Sequence, residues 1–492
     1  MHYKNSTYTR TDLARIAMIV MKEKGLEPDF SKEVHEQLDS ILGPSEERDV
    51  GIQDLTDLLW CSLDNDDSED LDQLTACSNL ENGSHKIYVA IADVDSLIKK
   101  DTPIDQHAKL NTASVYTSAR IFPMLPEKLS TNLTSLNLNE TRLALVTEMV
   151  VSNLGEILGS TIYRARVRNK AKLAYDAVSL WIEGIGNIPP ALSAVDGMDE
   201  QIKTQDKIAQ QLRIKRHEAG SLQLEIFQPK AIFEGEVIIG IAEQEHNRGR
   251  QLIEEFMIAT NQSTALFLLK KGIPSLRRVV RSPDRWLRIV ELAKQYGESL
   301  PNEPDSKALS EFLAKQNKAD PLRFPDLSLV IVKLMGPGEY VLEQPGANPI
   351  GHFGLAVQDY MHSTAPNRRF PDLITTRMLK SAINNQTSPY DKQELYSLAL
   401  HCTTQEDAIR KTERRMRKSE AALFLEPYIG KDFDGVITGI TPNYGWVRIF
   451  NPPAEGMLMK VPKDCSIGSK LKVKLVSTDV EMGHINFMKT TY

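Results

Sequence analysis

The spacing of hydrophobic positions changes period several times along the chain, and each change marks an element. Between residues 10 and 43, Leu13, Ile16, Ala17, Val20 and Met21 fall on one face of a helix that Thr11 can cap; a second helix over 32–42 ends at Gly43-Pro44. From Lys86 the period becomes that of strands. The run KIYVAIADV is almost continuously apolar and rich in branched residues, as in a strand buried on both faces. Residues 143–151 and 159–167 read as two more strands joined at Asn153-Leu154-Gly155, which predicts a mostly antiparallel sheet.

Further on, the pattern predicts helices over 172–183 and 199–218, separated by a loop, then strands over 222–227 and 231–242. A long helix over 251–271 carries Glu254 and Glu255 in its first turn, and shorter helices follow at 286–296, 307–316 and 373–383. Up to about Leu425 this makes one large α+β unit. The remainder differs: short strands within 431–450, turning at Gly439 and Gly445, and at 457–461, 470–476 and 484–488 suit a small closed barrel of the OB type. Tyr444, Trp446, Arg448 and Phe450 interleave aromatic and basic character there, as a face for single-stranded nucleic acid requires. The other reading is a barrel whose aromatics are core and whose role is structural or dimerising.

Composition narrows the class. With 492 residues the chain holds a large domain and one or two small ones, and 41% hydrophobic against 25% charged residues is an ordinary globular balance. A net charge of −7 excludes a generally basic nucleic-acid binder, although an acidic metal-dependent nuclease with a locally positive groove remains compatible. Cys61, Cys77, Cys402 and Cys465 form neither a disulfide framework nor a zinc pattern, so a reducing cytoplasm is expected. No apolar run reaches the roughly 18 residues of a membrane span, and the polar start MHYKNSTYTRTD lacks a signal-peptide core. No fixed-period repeat points to a solenoid.

The chemistry concentrates in WCSLDNDDSEDLDQLT, residues 60–75, where Asp64, Asp66, Asp67, Glu69, Asp70 and Asp72 crowd together. Carboxylates so close repel one another. Either a hard cation such as Mg²⁺ sits among them or water solvates them as a loop. Asp64, Asp70 and Asp72 are separated by even numbers and share a side if extended, and the apolar flanks Trp60, Leu63, Leu71 and Leu74 favour a buried position.

The pieces LDNDDSEDLDQL (63–74), VAIADV (89–94), SVYTSARIFPMLPEKLS (114–130), SLNLNETR (135–142), AKLAYDAV (171–178), LIEEFMIATN (252–261) and GHFGLAVQDYMHSTAPNRRFPDLITTRMLK (351–380) occur in order. Together they resemble the signature region of the ribonuclease II family, the RNB-type 3′-to-5′ exoribonucleases, and the terminal barrel resembles that family's S-one type OB domain. The resemblance implies a helical segment at 1–45, an RNB catalytic domain at 46–425 with a mixed sheet among helices, and an RNA-binding OB barrel at 426–492. The front of the chain departs from that family in lacking room for the two cold-shock barrels that often precede the catalytic domain, so a short form is expected. The activity implied is Mg²⁺-dependent hydrolysis of single-stranded RNA to nucleoside 5′-monophosphates by a monomer, with Mn²⁺ as a substitute ion. Asp64, Asp70 and Asp72 resemble the metal-binding acids, and Asp72 the one tied most closely to cleavage. Tyr116 resembles the aromatic that sets the last nucleotides, and Arg368 the arginine on the phosphate next to the cut. Arg369 would hold a neighbouring phosphate. Tyr175 with Glu254 or Glu255 would meet the 3′ ribose.

Two departures stand out. The family commonly has two adjacent aspartates where this chain has Asp72-Gln73, and an amide brings no charge. The usual TSPIRRY segment is here Thr364 to Phe370, TAPNRRF, which keeps both arginines. The first departure leaves a second expectation open: an RNB scaffold that grips RNA while cutting it weakly or not at all.

Overall fold

Residues 8–225, 229–243, 246–321, 323–462, 465 and 467–490 are described by the computed structural model. Helices α1 (Arg10–Glu23) and α2 (Lys32–Ser40) come first. Thr9, rather than Thr11, caps α1: its hydroxyl accepts from the Asp12 N–H while the Asp12 carboxylate takes the Thr9 N–H. The predicted apolar face of α1 is the buried one. Strands β1 (Gln53–Asp54), β2 (Cys61–Asp64), β3 (Gln73–Asn79) and β4 (His85–Ala92) follow, then helix α3 (Pro103–Asn111) and the small hairpin β5 (Val115–Tyr116) and β6 (Ile121–Phe122). The long pair β7 (Thr141–Val151) and β8 (Ile157–Arg168) turns where predicted, and β9 (Ala171–Ala174) leads directly into α4 (Tyr175–Ile182).

The helix expected over 172–183 therefore starts only at Tyr175. Pairing overrides the helix propensity of AKLA, because β9 lies parallel to β2 with Leu63 opposite Leu173 and Asp64 opposite Ala174. Short α5 (Pro190–Ser193) lies in the expected loop, and α6 (Met198–Glu218) matches its prediction. The strand expected at 222–227 is absent over Leu222–Glu225, where Leu222 is instead packed with Trp286 and Phe324; the rest of that expectation falls outside the described residues. The single strand expected over 231–242 is a hairpin, β10 (Pro229–Glu234) and β11 (Val237–Glu243), folded at Gly235 with φ +58°. Helix α7 (Arg248–Lys270) is capped by Asn247, so Glu254 and Glu255 lie in its second turn.

The chain continues through β12 (Ser275–Val279), α8 (Trp286–Gln295), α9 (Ser306–Ala319), α10 (Phe324–Met335), β13 (Glu339–Glu343), α11 (Phe370–Ile383) and α12 (Lys392–Leu425). Neither α10 nor the 34-residue α12 was legible in the hydrophobic spacing. Among the described residues one sheet has the order β1-β8-β7-β4-β3-β2-β9, parallel at its two edges and antiparallel between. Strand β4 is buried on both faces: Ile87, Val89 and Ile91 pack with Phe256 of α7, and Ala90 and Ala92 with Phe370 and Leu373 of α11.

The last strands, β14 (Asp432–Ile440), β15 (Gly445–Ile449), β16 (Ala454–Leu458), β17 (Lys470–Asp479) and β18 (His484–Lys489), close the expected barrel. Gly439 and Gly445 lie within strands, and residues 441–444 make the turn. The aromatic and basic face divides. Tyr444 and Phe450 remain exposed, whereas Arg448 pairs with Asp326 of α10 at 2.9 Å and Lys418 of α12 lies 4.6 Å over the Trp446 ring.

Helix α12 also braces the small hairpin from behind. Glu413 accepts the Tyr116 N–H at 3.0 Å, and Glu420 accepts the Ser118 N–H at 3.0 Å and hydroxyl at 2.8 Å. Burial pushes the Glu420 carboxyl from 4.5 up to about 7, against the pull of Ser118. Such a group favours the fold fully below about pH 4.5, and its contribution, about 3 kcal/mol from the size of the shift, is lost as pH rises through 7. The Tm of Glu420→Gln minus that of the parent should therefore grow more positive between pH 5 and 8; a pH-independent difference would mean that Glu420 does not titrate there. A second brace is Arg377, 3% exposed, which donates to Asp95 (2.9 Å), Asp105 (2.7 Å), the Tyr390 hydroxyl (2.8 Å) and the Ile98 carbonyl (2.9 Å). Arg377→Met should cost about 3–5 kcal/mol in chemical denaturation by leaving Asp105 buried and unpaired. A loss under 1 kcal/mol would show that this cluster does not hold α11 to α3 and the segment after β4.

Candidate active site

The acid cluster folds as the turn between β2 and β3. Asp64 ends β2, and Asp72 stands one residue before β3, its carbonyl accepting the Ala92 N–H at 3.0 Å. The Asp72 side chain, 1% exposed, accepts the Asn367 N–H on Oδ1 and the Arg368 Nε–H on Oδ2, both at 3.0 Å. Burial, reinforced by Asp70 and opposed by Arg368, pushes its carboxyl up to about 7. Burial also raises Asp70, with Arg368 opposing and the charge of Asp64 adding to it. The Tyr116 hydroxyl points at Asp70 Oδ2 from 3.5 Å. Burial lifts this phenol well above its ordinary value, and Asp70 and Asp72 add to the rise, so it stays a neutral donor. Part of its side chain, 39% exposed, remains open to solvent.

Tyr175 enters the same neighbourhood because β9 pairs with β2. Its phenol is raised by burial and then by the charge of Asp64, with Arg250 and Arg368 opposing. Arg250, on the first turn of α7, stacks its guanidinium 4.6 Å from the Tyr175 ring centre and donates from Nη2 to Asn65 Oδ1 at 2.7 Å. Asp64, Asp70, Asp72, Tyr116, Tyr175 and Arg368 are thus brought together. Gln73, 7% exposed, shares its strand face with Thr75, whose hydroxyl donates to Gln205 of α6.

Other predicted residues are engaged elsewhere. Arg369 donates to Asp372 at 2.7 Å, and Asp372 also accepts the Ala365 N–H at 2.9 Å, so Arg369 fastens the loop that carries its neighbour. Glu255, 3% exposed, is gripped by Arg216 through two nitrogens. Glu254 is half-exposed and 3.9 Å from Arg216. Among the described residues no hydrogen bond or ion pair joins either glutamate to the acid cluster.

Asn367, Thr134, Asn65, Arg250 and Glu413 were missed by sequence reasoning. Asn367 acts through its main chain, with its side-chain oxygen taking the Thr134 hydroxyl. Nothing in its residue type announces that. Arg250 fell just ahead of the helix start expected at 251, although a cation one turn before paired glutamates was visible.

The donors fit a hard divalent ion. Asp64, Asp70 and Asp72 offer carboxyl oxygens with no thiolate or imidazole among them, and a cation there would offset the burial and mutual repulsion that raise Asp70 and Asp72. An ion with few protein ligands and several waters suits such an open set. Among the described residues no three His, Cys, Asp or Glu side chains are already gathered closely enough to hold an ion.

The RNB domain family matches residues 52–385, and the RNase II-type exonuclease C-terminal S1 domain matches residues 431–489. Ribonuclease R of Escherichia coli strain K12 is 31% identical over 433 residues, covering 84% of this chain and 52% of that protein. Ribonuclease R 1 of Lactococcus lactis subsp. lactis strain IL1403 is 28% identical over 499 residues, covering 95% and 60%. The chain thus spans little more than half the length of these curated relatives. The apo form of Mycoplasma genitalium RNase R has a similar fold, with a TM-score of 0.88 at 24% identity over 97% of this chain and 78% of that one. A family match across 52–385, together with the acid turn and the arginine loop that fall inside it, makes this chain a member of the RNB-domain family that ends in an RNase II-type S1 barrel.

Proposed function

We propose that the chain is a 3′-to-5′ exoribonuclease that hydrolyses single-stranded RNA to nucleoside 5′-monophosphates. The observation that carries this reading is the Asp72–Arg368 pair, set beside Asp64 and Asp70 by the Asn367 N–H. The Ribonuclease R names of its relatives support it. Asp64, Asp70 and Asp72 would hold Mg²⁺, or Mn²⁺ in its place, and the ion supplies an activated water and polarises the scissile phosphate.

The chain's own residues supply the rest. Arg368 spends Nε on Asp72, while Nη1 and Nη2 have no hydrogen bond among the described residues and the side chain is 44% exposed. Those groups are free to bind a phosphate and to offset charge that grows on it. Tyr116 offers its ring to the terminal bases. Tyr175 and Glu254 form the ribose end, where a carboxylate accepting from the 2′-hydroxyl separates RNA from DNA. Glu254 suits this role better than Glu255, because Glu255 is committed to Arg216 and Glu254 lies one turn beyond Arg250 on the same helix face. Tyr444 and Phe450 of the barrel present exposed rings on which an incoming strand can stack. The non-cutting scaffold reading rested on Gln73. That side chain lies on the α6 face of the sheet, and the charge it lacks bears on how tightly an ion is held rather than on the Asp72–Arg368 pair.

Incubated with Mg²⁺ and 5′-labelled single-stranded RNA, the protein should give a ladder shortening from the 3′ end, abolished by EDTA and by Asp72→Asn; tight binding without shortening would sink the proposal. Arg368→Gln should lower kcat about 10²- to 10³-fold with a smaller change in KM, as expected when a donor aimed at developing charge is removed. A change confined to KM would make Arg368 a binding group only.

A further inference from the structure

A groove of about 610 Å³ lies between α4, the β10–β11 hairpin and the start of α7, within the roughly 300–1,000 Å³ of typical small-molecule sites. We propose that it is a product subsite that holds the released nucleoside 5′-monophosphate, its phosphate between Arg250 and Lys230 and its base between Leu180 and Ile232. This rests on the exoribonuclease reading and adds to it a place for the nucleotide after the cut.

Four observations converge. Arg250 belongs to both places: it lines the groove, and it also touches the acid turn through Asn65 and covers the Tyr175 ring. A nucleotide leaving the acid turn therefore meets the groove through one side chain. Second, Arg250 has binding capacity to spare, since only Nη2 is used and Nη1 makes no hydrogen bond among the described residues. Third, Lys230, on the hairpin wall, is exposed and makes no hydrogen bond or ion pair of 4.0 Å or less among the described residues, which leaves a second cation for the same anion.

The fourth is the pairing of apolar walls. Leu180 on α4 is 46% exposed and Ile232 on β10 is 45% exposed, and both line the groove. Large aliphatic side chains left in water on two walls suit the faces of a flat base, to which they show no preference of sequence. Two carboxylates, Asp176 and Glu183, share the lining; Asp176 takes the Asn247 amide at 2.6 Å and Glu183 acts on Arg248, so neither is paired with Arg250 or Lys230. Two cations outside any ion pair of 4.0 Å or less among the described residues and two apolar walls suit a nucleotide, with a phosphate monoester at one end and an uncharged ring at the other.

Titration calorimetry of the full chain in EDTA, with adenosine 5′-monophosphate, adenosine and inorganic phosphate, tests this. Adenosine 5′-monophosphate should bind more tightly than either fragment, and Arg250→Gln and Lys230→Gln should each raise its Kd about tenfold. The same variants should relieve its inhibition of RNA shortening. Phosphate binding as tightly as the nucleotide, or a nucleotide Kd indifferent to both variants, overturns the subsite. If Arg250→Gln fails to fold, the exposed Lys230→Gln carries the test alone. Binding that depends on these cations in a chain that never shortens RNA would overturn the nuclease reading and leave the subsite standing. Shortening with no such binding would do the reverse.

Discussion

Asp72 is a carboxylate with 1% of its surface exposed, and the two groups that compensate it come from 295 and 296 residues further along the chain. An uncompensated charge at such depth costs several kcal/mol, so the start of β3 and the loop before α11 cannot settle independently. Sheet and loop are positioned by a single demand for satisfied charge. The loop has its own supports, Arg369 and the Ala365 N–H on Asp372, and Asn261 accepting from Ser363. Arg368 is consequently held by one nitrogen at the mouth of the acid turn with the others unspent.

Helix α12 gives this arrangement its back wall. At 1.5 Å per residue, its 34 residues run about 50 Å. Along that length it meets β13, α1, both hairpins and the barrel, and two of its glutamates take the N–H groups on either side of Thr117. The ring of Tyr116 is thus aimed by carboxylates that never face the acid turn. The barrel is fixed to the same helix through Trp446 and Lys418, which joins the two ends of the proposed strand path by one rigid rod.

Much of the fold could be read from periodicity, because the central strands and the helices α1, α6, α8 and α9 each bury one consistent face or both. Helix α12 escaped because polar residues, Gln405, Thr412, Ser419 and Glu420, occupy positions of its buried face, which interrupts the apolar stripe. Strand β9 escaped because Ala, Lys and Leu favour helix locally, while the pairing with β2 that decides the matter is over a hundred residues away in sequence. For the site, ordered motifs pointed to the acids, Tyr116, Tyr175 and Arg368. Roles set by geometry stayed hidden: Arg369 and Arg368 are adjacent and chemically identical, yet only the backbone path turns one toward Asp372 and the other toward Asp72.

Asn367 serves Asp72 through its peptide N–H, a group that every residue except proline possesses. The family segment that this stretch resembles carries isoleucine at that place, and the exchange for asparagine leaves the donor untouched. The contact depends on the path of the loop rather than on the letter at 367. Substitutions can accumulate there without loosening the anchor, so residue identity understates how much of this centre two distant chains have in common.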